Sequence, residues 1–251
     1  MPRDTFILLL ADLPVTYRFL YPETAEKYRF FITEEAAGQP DAETKEEDFS
    51  IWEASYREEA GRTEAEFRIM VLILSEYMLS HRRCVCHAVA VRWKGLVWLF
   101  SAWSGTGKTT LYRNWKKYLG DEAEILSGDM PFLECRDDGS VRVHVSPWNG
   151  KEGYHGEGSG KLGGILFLKQ GQENRMEHMM SREAILPVFR MILVPLRSPE
   201  TAHLTALMTE RILKSRIPIW SFENTGDLRS AQASTAAIAA YMNGRHDSLQ
   251  S

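Results

Sequence analysis

The chain has 251 residues, 30 basic against 34 acidic, for a net charge of −4, and 44% of its residues are hydrophobic. This composition excludes a disordered chain, and the lack of a basic excess argues against nucleic-acid binding as its main task. At about 150 residues per domain the length allows one large domain or two small ones, either able to bury a core without staples.

Three cysteines, Cys84, Cys86 and Cys135, are too few and too odd in number for a disulfide scaffold and fit a reducing compartment. The longest apolar runs, Phe6–Ala11 and Met70–Leu74, fall far short of the roughly 18–20 residues that span a bilayer. The N-terminal run is flanked by Asp4 and Asp12 and lacks a small-residue cleavage site, so it reads as a first β-strand and not a signal peptide. A cytoplasmic protein with no membrane partner is expected.

In chain order, Phe6–Leu10, Val15–Leu20, Tyr28–Thr33 and Phe49–Tyr56 read as strands, being rich in aromatic and β-branched residues between turn-like segments. The acidic stretch 34–48 reads as a solvated loop. Thr63 and Glu66 have capping-box spacing, and Phe67, Met70, Val71, Leu74, Tyr77 and Met78 recur at helical spacing, predicting a buried helix that ends near His81. From Val85 to Phe100 an apolar run is broken at 92–95, predicting a hairpin whose second strand leads into residues 102–109, Ala-Trp-Ser-Gly-Thr-Gly-Lys-Thr.

That stretch carries Gly107, Lys108 and Thr109 of the G-x-x-x-x-G-K-[ST] phosphate loop, with Ala102 in place of the first glycine. Strand, glycines and a helix over 110–119 supply the context that the motif needs. Gly105 and Gly107 let backbone N–H groups turn inward around an anion, and the helix N-terminus adds its positive end. Ser104, Gly105, Thr106, Gly107, Lys108, Thr109 and Thr110 are therefore the expected nucleotide-binding stretch. Lys108 is a point charge for the β- and γ-phosphates, and Thr109 a hydroxyl for Mg²⁺. Asp129, one helix and one short strand later, is expected to end a neighbouring strand, hold Mg²⁺ with Thr109 and orient an attacking hydroxyl as a base.

Phe132–Cys135 and Val141–Val145 predict a second hairpin with Asp137 and Asp138 in its turn. Seven glycines in 150–164 read as a mobile loop, a lid over the nucleotide, or as a linker. From this segment Lys151 is a candidate for neutralising transition-state charge, or a solvated lysine. Trp148 either stacks on the base or packs in the core. Helices over 181–191, 201–214 and 231–242, with Gly244 as a stop, and a strand over 217–223 complete the chain. Cys84-x-Cys86-His87 matches no common zinc spacing and lacks a second pair, so no zinc is expected. On a strand, the two thiols would share one face.

Several blocks, in order, resemble the HPr kinase/phosphorylase-like proteins, serine kinases whose phosphate-loop domain is similar to that of phosphoenolpyruvate carboxykinase. They are Cys86–Val91 (CHAVAV), Phe100–Leu111 (FSAWSGTGKTTL), Ile125–Asp129 (ILSGD) and Ser146–Gly153 (SPWNGKEG), followed by Ile165–Gln170 with Asn174 and Arg175. The resemblance covers roughly 85–225. It implies an α/β fold with a mixed sheet and helices of this phosphate-loop type over 84–251. The β-rich portion over 1–83, which ends in the buried helix, has no sharp linker before the phosphate-loop strand, so the two read as one composite unit. The resemblance also implies ATP, Mg²⁺, and a serine-type hydroxyl of a protein, peptide or free serine as acceptor. His87 then falls in an active-site strand, although a core histidine fits the same pattern, and Arg175 is a weaker electrostatic candidate.

Two departures are visible. The family places two adjacent aspartates where this chain has Gly128 and Asp129, so only Asp129 carries over. The C-terminal region that grips HPr is not recognisable, so HPr is not implied. An ordinary phosphate-loop small-molecule kinase and a non-catalytic ATP-binding module remain alternatives, and the oligomeric state stays open, a homo-oligomer included.

Overall fold

The computed structural model describes residues 4–50, 61–103, 105–150 and 152–249. It is an α/β structure with two mixed sheets and helices.

The smaller sheet has the order β3-β1-β2-β4, with β1 at Thr5–Leu10, β2 at Leu13–Arg18, β3 at Ile32–Glu35 and β4 at Ala42–Glu43. The strand expected over Tyr28–Thr33 is instead the end of a 3₁₀ turn, Pro22–Tyr28, and pairing resumes only at Ile32. Pro22 presets the turn's first dihedral, and Glu66, from the helix α1 at Arg62–Ser80, holds its start. Of the strand expected over Phe49–Tyr56, residues 49–50 are helical and the rest lies outside the described residues.

Glu66 does not form the expected capping box, because α1 begins earlier, with Gly61 as its N-cap. Its fully buried carboxylate accepts hydrogen bonds from Leu20 N (2.6 Å), Tyr21 N (3.1 Å) and Thr24 Oγ1 (2.5 Å). Glu66→Ala would orphan two amides and a hydroxyl in the interior. It is expected to cost about 3 kcal/mol, read as a lower urea midpoint, and Glu66→Gln, which restores an acceptor, less.

The larger sheet, among the described residues, has nine strands. The hairpin of β6 (Ala88–Trp93) and β7 (Leu96–Ser101) forms as the sequence predicts, with Lys94 and Gly95 both at positive φ in its turn. On one side of it β6 pairs antiparallel with β8 (Glu124–Ser127). On the other, β7 pairs parallel with the long β11 (Ser159–Gln170), which in turn pairs parallel with β13 (Ile219–Asn224). β12 (Arg175–His178) closes that edge. The first residues of β11 pair with β10 (Val141–His144), which leads through β9 (Phe132–Cys135) to β5 (Arg83–Val85).

The glycine-rich stretch departs from expectation. Its second half is the middle of the sheet, and Gly164 sits where a Cβ would come within 2.8 Å of Pro218 O and of the Trp220 ring. Its first half is stitched to β8 through Gly156 N to Leu126 O (3.0 Å) and Gly128 N to Tyr154 O (2.8 Å).

Alternation along β7 divides the core. Val97 and Leu99 face α3 (Ser181–Met191) and α4 (Pro199–Lys214), while Trp98 and Phe100 face α2 (Lys108–Leu119) and α5 (Leu228–Leu249). Helix α5 runs through Gly244, which is no stop. A third cluster packs the small sheet and α1 against Val85, Phe132 and Trp148, so the N-terminal portion shares its core with the larger sheet. Among the described residues no helix is long and apolar enough to cross a membrane.

Candidate functional site

Strand β7 ends at Ser101 and α2 begins at Lys108, leaving six residues to reverse the chain. Gly105 and Gly107 take φ of +82° and +103°, a region that side chains disfavour, and Gly107 serves as the N-cap of α2. Thr106 N donates to Trp103 O (3.2 Å) and Gln170 Nε2 to Gly105 O (3.4 Å), tying the loop to the end of β11. Among the described residues helix α2 has no side-chain cap, and its first turn carries no acidic residue. Its leading amides and dipole are thus uncompensated, an arrangement suited to an anion. Among the described residues the hydroxyls of Thr109, half-buried, and Thr110, exposed, make no hydrogen bond. Ser104 lies outside the described residues.

The strand order brings the other candidates to this loop. Asp129 does not end the strand beside β7: β6 lies between β7 and β8. Because β6 runs antiparallel to both, its N-terminal end meets their C-terminal ends, and His87 is placed between Lys108 and Asp129. Lys108 Nζ donates to His87 Nε2 (2.9 Å) and to Ala102 O (3.3 Å), and His87 Nε2 lies 4.0 Å from Asp129 Oδ1. His87 is anchored by its backbone: its N–H donates to Met191 O (2.9 Å), and its carbonyl accepts from Ser101 Oγ (3.0 Å). Asp129 Oδ1 accepts from Met130 N (3.0 Å), and the Asp129 carbonyl accepts from Ser127 Oγ (2.6 Å).

Burial dominates the electrostatics. It lowers the pKa of His87, helped by Lys108 and opposed by Asp129, and it lowers that of Lys108, opposed by Asp129. It raises that of Asp129 against the pull of His87 and Lys108. A neutral His87 therefore accepts from Lys108 at Nε2 and carries its own proton at Nδ1. A lysine, a neutral imidazole and a carboxylate in one partly desolvated cluster can bind an anion and take up a proton.

The segment 146–150 packs against this cluster. A Cβ on Gly150 would lie 3.1 Å from that of Asp129. At Gly128 a Cβ would lie 2.4 Å from Tyr154 O and 2.9 Å from Asn149 O, so the backbone leaves no room for a side chain there. Asn149, which the sequence reading passed over, buries its Oδ1 with no hydrogen-bond partner among the described residues. Only an unmet acceptor, visible in three dimensions, could have drawn attention to it.

Of the two roles that the sequence allows for Trp148, the structure places it in the core, against the N-terminal portion, and not as the nucleotide-stacking residue. It is 4% exposed, lies edge-on to Tyr28 and Phe132, and donates its indole N–H to Phe67 O (3.1 Å). No ring face remains for a base. Lys151 lies outside the described residues. Arg175 sits on the edge strand β12, paired with Glu223 and Glu177.

Thr109, in the first turn of α2, and Asp129, just beyond the C-terminal end of β8, carry oxygen donors of the kind that Mg²⁺ prefers. A second set of metal-type groups, Asp12, Glu134 and His144, lies elsewhere, with one ligand atom from each within 4.8 Å of the others. Both Glu134 oxygens are engaged there, Oε1 by Arg83 (3.2 Å) and Oε2 by Arg136 (3.1 Å) and His144 (3.1 Å), which makes it an ion-pair network. Cys84 and Cys86 share a face as alternation predicts, with sulfurs 3.7 Å apart and fully buried. Compared with protein-family models and with curated proteins, the chain matches none.

Proposed function

We propose that this chain is an ATP- and Mg²⁺-dependent kinase of the HPr kinase-like, phosphoenolpyruvate carboxykinase-related type, transferring the γ-phosphoryl group to a serine-type hydroxyl. The observation that carries the reading is the convergence of Lys108, His87 and Asp129 on a glycine-turned, uncapped helix N-terminus. In this reading the amides of Gly105–Thr109 and the Lys108 ammonium hold the phosphates. Thr109 and Asp129 hold Mg²⁺, which supplies charge neutralisation on the phosphate oxygens when bound. His87 keeps Lys108 oriented through its Nε2. As the acceptor oxygen bonds to the γ-phosphorus and the bond to the β-phosphate oxygen breaks, Asp129 takes the acceptor's proton. Positioning and charge carry the rate, as expected for a dissociative transfer.

Asp129→Asn tests the reading. Losing the proton acceptor is expected to reduce transfer from γ-labelled ATP by about 10²-fold or more, with ATP affinity kept within a few-fold. Unchanged transfer would remove Asp129 from the mechanism. If the wild-type chain binds ATP tightly but neither transfers nor hydrolyses it, the alternative of a non-catalytic ATP-binding module, which the single carboxylate favours, replaces this one. Label on a metabolite would make it a small-molecule kinase.

A further inference from the structure

A cavity of about 240 Å³ opens at the C-terminal ends of β7 and β11, on the α3 side. His87, Ser101 and Ala102 line it, so through His87 it abuts the Lys108–His87–Asp129 cluster directly. Its remaining lining is chemically two-sided. Trp103, 73% exposed, and Leu186, 52% exposed, present apolar surface to solvent, and the less exposed Phe167 and Pro187 add to the apolar lining. Lys169 and Arg190 supply two positive charges, and among the described residues no acidic one lines the cavity. Among the described residues neither cation has an ion-pair partner, although Lys27, Arg29, Lys116 and Lys214 are all paired on the surface of the same molecule.

The position separates this cavity from the place expected for the triphosphate. Helix α2, whose N-terminus offers the free amides, packs on the opposite face of the sheet from α3. A ligand in the cavity therefore approaches the cluster from the other side, as an acceptor must when the leaving and attacking oxygens lie in line. Ile185, next to Leu186 on α3, is also 52% exposed, which fits a chain extending beyond a small pocket.

We infer that this cavity is the acceptor-docking site, and that it takes a polypeptide segment bearing an apolar side chain and an acidic side chain close to the serine that is phosphorylated. The acidic group meets Lys169 and Arg190, and the apolar one packs between Trp103 and Leu186. The inference rests on the kinase reading above and names the acceptor class that the reading leaves open.

The test uses the full chain, γ-labelled ATP and a peptide array with a central serine and randomised flanks. Peptides carrying Leu, Met or Phe together with Asp or Glu are expected to be labelled about tenfold or more better than peptides carrying Lys or Arg. Charge reversal, Arg190→Glu and Lys169→Glu, is expected to transfer that preference to the basic peptides while ATP affinity, measured by calorimetry, stays unchanged. A simple loss of fold would lower labelling of all peptides alike and could not reverse the preference.

An acidic preference that survives both reversals, no flank preference, or label on free serine alone overturns the docking site and leaves the kinase reading intact. Variants that weaken ATP binding as much as transfer would show that the cavity holds the nucleotide, which also overturns it. If ATP binding is instead insensitive to Lys108→Ala, the kinase reading itself fails and the docking site falls with it.

Discussion

Lys108→Ala is expected to weaken ATP binding by about 30- to 150-fold, the equivalent of about 2–3 kcal/mol for a charge-assisted contact to phosphate. The side chain is partly desolvated, and its only hydrogen-bond partners in the structure, among the described residues, are a neutral imidazole nitrogen and one carbonyl. Neither offsets the charge, so burial holds its pKa below the ordinary value. The folded chain thus keeps this ammonium at a cost, with two neutral acceptors and the charge of the more distant Asp129 to favour it. Removing it should leave the urea midpoint unchanged or slightly raised while nucleotide affinity collapses. That opposition of stability and binding, measured by denaturation and calorimetry on the same preparation, marks a functional lysine. Unchanged ATP affinity would refute the phosphate-loop reading.

The second large effect concerns Gly128, the position where the resembled family has a further aspartate. Gly128→Asp is expected to destabilise the fold by about 3 kcal/mol or more, with no gain in phosphoryl transfer. The atoms that a Cβ would meet are backbone carbonyl oxygens of Tyr154 and Asn149, which cannot swing aside as a side chain can. Gly128 N also donates to Tyr154 O, so yielding would break one of the two backbone bonds that tie segment 152–156 to β8. An added carboxylate would then stand beside Asp129, whose own carboxyl is already pushed up by burial. Gly128→Ala separates the two causes, since it brings the clash without the charge. It is expected to carry most of the loss in urea midpoint. An alanine variant as stable as the parent would mean that the backbone yields there and that the missing aspartate is not a steric consequence.

Much of the site's scaffold was legible in the amino-acid order, because it depends on near neighbours. The turn at Lys94-Gly95, the run of β7 into a glycine loop and α2, and the Asp-Gly hairpin after β9 are local events. They are decided by φ preferences and by alternation within a few residues. Roles that depend on distant partners were not legible. Glu66 has the spacing of a capping-box residue, yet its partners are 42 to 46 positions away, and burial against them outweighs a cap on its own helix. Trp148 belongs to a motif beside the site, yet its indole is spent on Phe67 O, 81 positions back. The glycines of 160–164 imitate a flexible loop, because a residue without a side chain looks the same in a linker and in a crowded central strand.

By itself, the sequence determined that a buried strand runs through a glycine loop carrying Lys108 and Thr109 into a helix, expected two residues later than its actual start at Lys108, and that Asp129 follows a short strand, since periodicity and turn chemistry act over a few residues. Only the tertiary structure decided that β6 lies between those strands and runs against them. Strand order is set by long-range pairing and burial, which no local pattern encodes, and that order brings His87 between Lys108 and Asp129.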